Sequence, residues 1–171
     1  MRALLDRLTN PLHAVIALAC IWLVVSSPWL GMYHWLPEAP GLVNGSHVVL
    51  GLAMLPLGLV YVAACTLGGR WRLYFPWLGG QAAAVGRDFA GILRGERPGS
   101  EGGGLFATIE GLLLLAFLAA AVSGAVWFLA QGGDTAVLWR SLHSIAARGF
   151  AVLLLLHVVA VSLHLVDLVR D

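Results

Sequence analysis

Four long apolar runs, separated by polar breaks, dominate the chain: Leu12 to Gly31, Val43 to Leu67, Leu105 to Ala130 and Val137 to Val166. Each approaches or exceeds the roughly 20 residues that carry an α-helix across a hydrocarbon core. The pattern predicts an all-α membrane protein, a four-transmembrane-helix bundle with spans over about 11–31, 44–68, 105–131 and 138–168. It leaves room for a single integral-membrane domain covering 1–171.

The breaks have their own chemistry. Thr9, Asn10 and Pro11 suit the entry to a helix, with proline at a favoured first-turn position, although span one could equally continue from a turn beginning at Arg2. The connection from Met32 to Asn44 holds Pro37, Pro40 and Gly41 and reads as a turn-rich loop. Between spans two and three, residues 69–104 mix Trp71, Tyr74, Phe75, Trp77 and Phe89 with five arginines. That mixture fits a segment lying in the membrane interface, with a short helix around Gln81 to Leu93 and a hinge from Arg97 to Gly104.

Composition agrees with the pattern. The chain is 60% hydrophobic and 11% charged, more apolar surface than a soluble domain of this size can hide. Arg2 and Arg7 precede span one as in a signal peptide. The run is too long for one, however, and no small-x-small cleavage site precedes Trp29, so a retained helix is expected.

A net charge of +1 gives no reason to expect nucleic acid as a partner; membrane lipid is the expected surroundings. All ten basic residues are arginines, and their placement is informative. Arg2, Arg7, Arg70, Arg72, Arg87, Arg94, Arg97 and Arg170 fall on one side, with only Arg140 near a helix end on the other. The positive-inside rule then puts both termini and the 69–104 loop in the cytoplasm. Cys20 and Cys65 lie in spans one and two with no spacing that suggests a bridge or metal site.

Four histidines lie inside the apolar runs: His13, His47, His143 and His157. With this topology His13 stands at the cytoplasmic start of span one, His47 and His143 at the external starts of spans two and four, and His157 towards the cytoplasmic end of span four. The fourteen residues from His143 to His157 correspond to roughly 21 Å along one helix and a return to within roughly 40° of the same face. Two levels result, each with two histidines from different helices. That geometry is required for bis-histidine ligation of haem iron, which then shuttles electrons without binding substrate. A lone membrane histidine often only hydrogen-bonds a neighbouring helix, but four paired by depth point to function. Gly51, Gly124, Ala146 and Ala147 supply the small residues a flat macrocycle needs nearby. Depth leaves one choice open: His164, seven residues past His157 on the same face, could also partner His13.

His13, Ser46-His47 with Gly51, Ser123-Gly124, Leu142-His143 and Leu156-His157-Val158 together resemble the four-helix di-haem cytochromes b. These include bacterial cytochrome b561 and the cytochrome b subunits of formate dehydrogenase and nickel-iron hydrogenase. The tryptophan that commonly follows the first ligand in that family is replaced here by Ala14. The resemblance implies two haems b, an external one on His47 and His143 and a cytoplasmic one on His13 and His157. It further implies electron transfer in the bacterial cytoplasmic (inner) membrane between a periplasmic-side redox subunit or electron carrier and the quinone pool. Within the family such a chain is either the electron-transfer subunit of a respiratory oxidoreductase or a free-standing quinone oxidoreductase.

Several further residues are candidates around those haems. Arg148, within span four, needs an anionic partner, which an external haem propionate would provide; Arg140 is a second candidate, and the alternative for Arg148 is a backbone carbonyl or a hydroxyl in the bundle. Glu110, near the cytoplasmic end of span three, could pass protons to or from a quinone, snorkel to the headgroups or pair with a loop arginine. His164 could bind or protonate a quinone, contact a propionate or face water. His34, in the external loop, reads as a surface histidine. A histidine-lined metal or proton transporter is the rival from another class. It would need carboxylates along the same path, and Glu110 stands alone in the span centres.

Overall fold

The computed structural model describes residues 2–95 and 104–170, and of residues 2–10, 68 and 163–170 it describes the backbone alone. Among the described residues six α-helices follow one another: α1 (Arg2–Ser26), α2 (Gly41–Thr66), α3 (Trp71–Tyr74), α4 (Ala82–Leu93), α5 (Leu105–Ala130) and α6 (Ala136–Arg170). Single 3-10 turns extend α1 over Ser27–Trp29 and α2 over Leu67–Gly69. Among the described residues four segments are long and apolar enough to cross a membrane: Pro11–Trp29, Gly41–Thr66, Leu105–Ala130 and Ala136–Ser162. They correspond to the four apolar runs of the sequence. Pro11 does not start its helix, because α1 already runs from Arg2 and keeps Pro11 inside; Pro56 likewise sits within α2. Such prolines are tolerated in membrane helices, where neighbouring groups take up the freed carbonyl.

The helices belong to two compact units. The first comprises residues 1–64 and 116–150, that is α1, most of α2, the later part of α5 and the earlier part of α6. Its apolar cluster is built on Met32, Val48 and Trp127, with Leu30, Leu36, Leu52, Phe128 and Trp139 packed around it. The loop between α1 and α2 is fastened to the turn between α5 and α6 by its backbone. Gly132 N–H donates to the His34 carbonyl at 2.8 Å, and Leu36 N–H to Gln131 Oε1 at 2.9 Å. Arg140 Nε donates to the Met32 carbonyl at 2.9 Å, and its guanidinium lies 4.2 Å from the centre of the Tyr33 ring. These bonds satisfy loop groups that would otherwise be left without partners at the edge of the apolar region.

The second unit comprises residues 65–115 and 151–171 and contains α3, α4, the start of α5 and the later part of α6. The short helix expected around residues 81–93 is α4, with Phe89, Ile92 and Leu93 exposed along it, as suits an interfacial segment. Asp88 of α4 accepts a hydrogen bond at Oδ2 from the N–H of Leu105, the first residue of α5, at 2.8 Å. A carboxylate there satisfies an orphan donor and complements the positive end of the helix dipole. The Tyr74 carbonyl lies so close to Gly111 that any Cβ at that position would collide with it. The expected hinge at 97–104 lies, apart from Gly104, outside the described residues.

Candidate functional site

His47 stands in the second turn of α2 and His143 in the second turn of α6, both half-buried in the first unit. Their rings meet in a T-shaped arrangement, with centroids 6.4 Å apart and planes at 86°. Each ring is held from behind at Nδ1. His143 Nδ1 donates to the Ala120 carbonyl of α5 at 2.9 Å, with Ser123 Oγ at 3.5 Å. Ser123 Oγ in turn donates to the Ala119 carbonyl at 2.6 Å. His47 Nδ1 lies 3.1 Å from Ser26 Oγ, at the end of α1. A carbonyl only accepts, so Nδ1 of His143 carries the ring proton and Nε2 keeps its lone pair. Among the described residues Nε2 of neither ring makes a hydrogen bond.

Gly124 makes the approach of α5 to α6 feasible. A Cβ there would lie 3.0 Å from both Cε1 and Nδ1 of His143, tighter than ordinary van der Waals contact. The Ser123-Gly124 pair therefore does two things one residue apart: the serine hydroxyl stands 3.5 Å from Nδ1, and the missing side chain leaves the imidazole its space.

The pair can hold a metal in one particular way. Two imidazoles bound trans through nitrogen to one metal, at bond lengths of about 2 Å, have ring centres about 6 Å apart, and the observed spacing agrees. Among the described residues no three His, Cys, Asp or Glu side chains come together. A two-ligand pair of this kind fits a metal whose remaining positions come from a macrocycle, as in haem, better than a site closed by protein alone.

The other predicted residues are distributed as follows. His13, also in the first unit, lies 5.9 Å from Tyr61 of α2 by ring centroids. His157 belongs to the second unit, 6.1 Å from Phe106 of α5. Arg140 is committed through Nε to the Met32 carbonyl. Arg148 is exposed on α6 and, among the described residues, makes neither a hydrogen bond nor an ion pair; the carbonyl or hydroxyl partner that was its alternative is not observed. Glu110 is half-buried on α5, where its charge reaches Tyr74 of α3. Burial, a hydrogen bond to Cys65 and the charges of Cys65 and Glu110 push the Tyr74 hydroxyl above its ordinary range. The side chain of His164 lies outside the described residues. The His34 ring lies tilted against those of Tyr33 and Trp35, with centroids 5.8 and 5.9 Å away.

Sequence reasoning missed Ser26 and the Ala120 carbonyl. The usable signal for Ser26 was a hydroxyl at the far end of span one, at the depth of His47. It is 3% exposed, and a buried hydroxyl needs a partner. No side-chain signal could have marked Ala120, which acts through its backbone.

Among the described residues the fold is all-helical, with four helices long and apolar enough to cross a membrane and a pair of opposed imidazoles, which defines the class as a helical membrane protein with a site suited to haem. The chain belongs to the prokaryotic cytochrome b561 family, which it matches over residues 5–168. It is thus a bacterial multi-pass membrane protein of a family that binds b-type haem, typically two, and carries electrons across the membrane. No curated protein and no solved structure matches the chain.

Proposed function

We propose that the protein conducts electrons across the bacterial inner membrane through two bis-histidine haems b. It joins a redox partner on the periplasmic side to the quinone pool, as the cytochrome b subunit of a respiratory oxidoreductase. The observation that carries this reading is the opposed pair His47 and His143, each anchored at Nδ1 and turned towards the other at a spacing suited to one iron. Bound haem supplies one-electron chemistry; the chain fixes ligation, orientation and the dryness of the site.

The second haem is assigned to His13 and His157. Between the two levels, α6 carries one ligand of each haem, so a single helix sets the depth of both. Arg148, for which no partner is found among the described residues, is assigned to a propionate of the external haem, since a guanidinium matches a carboxylate in a bidentate pair. Arg140 serves the same end through the guanidinium nitrogens left over from its bond to Met32. Glu110 and His164 are assigned to the quinone side, where a reduced quinone must lose protons as well as electrons.

The test is a titration of haem content and reduction in the purified protein. His13→Ala and His157→Ala are each expected to remove one haem and leave the other, while His164→Ala retains both. A quinol analogue is expected to reduce both haems in the parent protein and to do so several-fold more slowly in Glu110→Gln. Loss of a haem in His164→Ala with both retained in His157→Ala would reassign the cytoplasmic pair. Co-purification of a periplasmic redox subunit with the tagged chain tests its place in a larger complex; its reproducible absence favours the free-standing form.

A further inference from the structure

The two imidazoles of the external pair are held by different chemistry, and the difference has a consequence for the metal. Behind His143 stands the carbonyl of Ala120, at 2.9 Å and held in the helical backbone of α5. Behind His47 stands a hydroxyl, Ser26 Oγ, at 3.1 Å. That hydroxyl has one proton, and the Leu23 carbonyl, 3.3 Å away and able only to accept, takes it. Ser26 Oγ therefore faces His47 with a lone pair, and Nδ1 of His47 is the donor. The chain Leu23 carbonyl, Ser26 hydroxyl, His47 imidazole thus fixes the tautomer that presents Nε2 as a ligand. Ser26 is almost fully buried, 3% exposed, so no bulk water substitutes for it.

We infer that Ser26 is a positioning residue for His47 and sets the donor strength of that ligand, making it the weaker of the two axial imidazoles. This rests on reading His47 and His143 as the ligands of one haem. An acceptor on the distal N–H of a ligating histidine fixes the ring and raises its basicity towards the metal. The more electron density the ring donates, the better the ferric state is stabilised. A hydroxyl oxygen is a weaker acceptor than an amide carbonyl, even when its own donated bond polarises it, and the carbonyl contact is also the shorter, 2.9 Å against 3.1 Å. Removing the Ser26 hydroxyl takes from Nδ1–H of His47 its one described acceptor and frees the ring to turn.

The experiment uses the purified full-length holoprotein, with each haem's midpoint potential measured by optical redox titration and the haem count by pyridine haemochrome. The external haem is first identified as the one lost in His47→Ala; retention of both haems in that variant would overturn the ligand assignment, independently of Ser26. In Ser26→Ala the external haem's potential is expected to move to a more positive value while the other haem stays in place. Ser26→Thr, which restores a hydroxyl, is expected to return it. Trp22→Phe serves as the comparison, because Trp22 Nε1 donates to Ser46 Oγ at 3.2 Å and so ties α1 to α2 without touching a histidine. A shift confined to Ser26→Ala supports the inference. No shift, a negative shift, or an equal shift in Trp22→Phe overturns it. If Ser26→Ala loses the external haem altogether, restoration by Ser26→Thr supports the inference, and failure of that restoration counts against it.

Discussion

At the scale of single residues, the orientation of His47 and His143 makes a spectroscopic commitment. With the planes of the rings at 86°, an iron held by both imidazoles would have their π orbitals address different d orbitals and leave that pair nearly degenerate. On the proposed ligation, the ferric external haem is expected to give a highly anisotropic low-spin electron paramagnetic resonance signal with one large g value; a rhombic signal for both haems would indicate parallel rings. Gly124 is the residue on which His143 has least latitude. In Gly124→Val the added methyls occupy the imidazole's space, and the external haem is expected to fall to well under half occupancy while the second haem is retained, read by haem content per protein. Gly124→Ala, with its Cβ 3.0 Å from the ring, asks for a displacement of only a few tenths of an ångström and is expected to keep most of the haem. The histidines were legible because imidazoles are rare and costly in an apolar run. Ser26 was not, because a serine in a membrane helix is commonplace and only the rotation of α1 against α2 brings its hydroxyl to Nδ1.

Among the elements, the four long helices follow directly from the lengths of the apolar runs, since a bilayer admits few other ways to satisfy the backbone. Their ends were harder to read. Proline at position 11 resembles a helix start, yet α1 begins nine residues earlier at Arg2, because a membrane helix tolerates an internal proline that an aqueous one would not. The interfacial helix α4 was visible in the mixture of aromatics and arginines, but its attachment was not. Asp88 reaches the first N–H of α5 across seventeen positions, over a glycine-rich stretch with no spacing rule of its own. Asp88→Ala is expected to cost about 1 kcal/mol as a lost helix cap. This would lower the unfolding midpoint in detergent by roughly 2–4 °C, measured by helical circular dichroism, and Asp88→Asn is expected to recover part of it. An unchanged midpoint would show that α5 starts as well without α4.

For the molecule as a whole, four spans would put residues 2 and 170 on one side, and the positive-inside rule gives the cytoplasm as the expected side. The orientation predicts that green fluorescent protein fused after Asp171 is fluorescent in cells, and that alkaline phosphatase inserted in the 37–40 loop is active. The reverse pattern would place the His47 and His143 pair on the cytoplasmic face. Within the first unit the anchored imidazole pair shares its fold with a loop fastened by Arg140 and Gln131; within the second, the charge of Glu110 acts on Tyr74. What composition and periodicity conveyed was the membrane-length helices and which of them carry the histidines; what they could not convey was which groups stand behind the rings, since that depends on helix rotation and on backbone atoms. The most direct measurement is a reduced-minus-oxidised optical spectrum with pyridine haemochrome quantification on the purified chain and on His47→Ala and His143→Ala. Two haems b per chain, falling to one in each variant, is the predicted result; a chain without haem, or variants that keep both, would contradict the account.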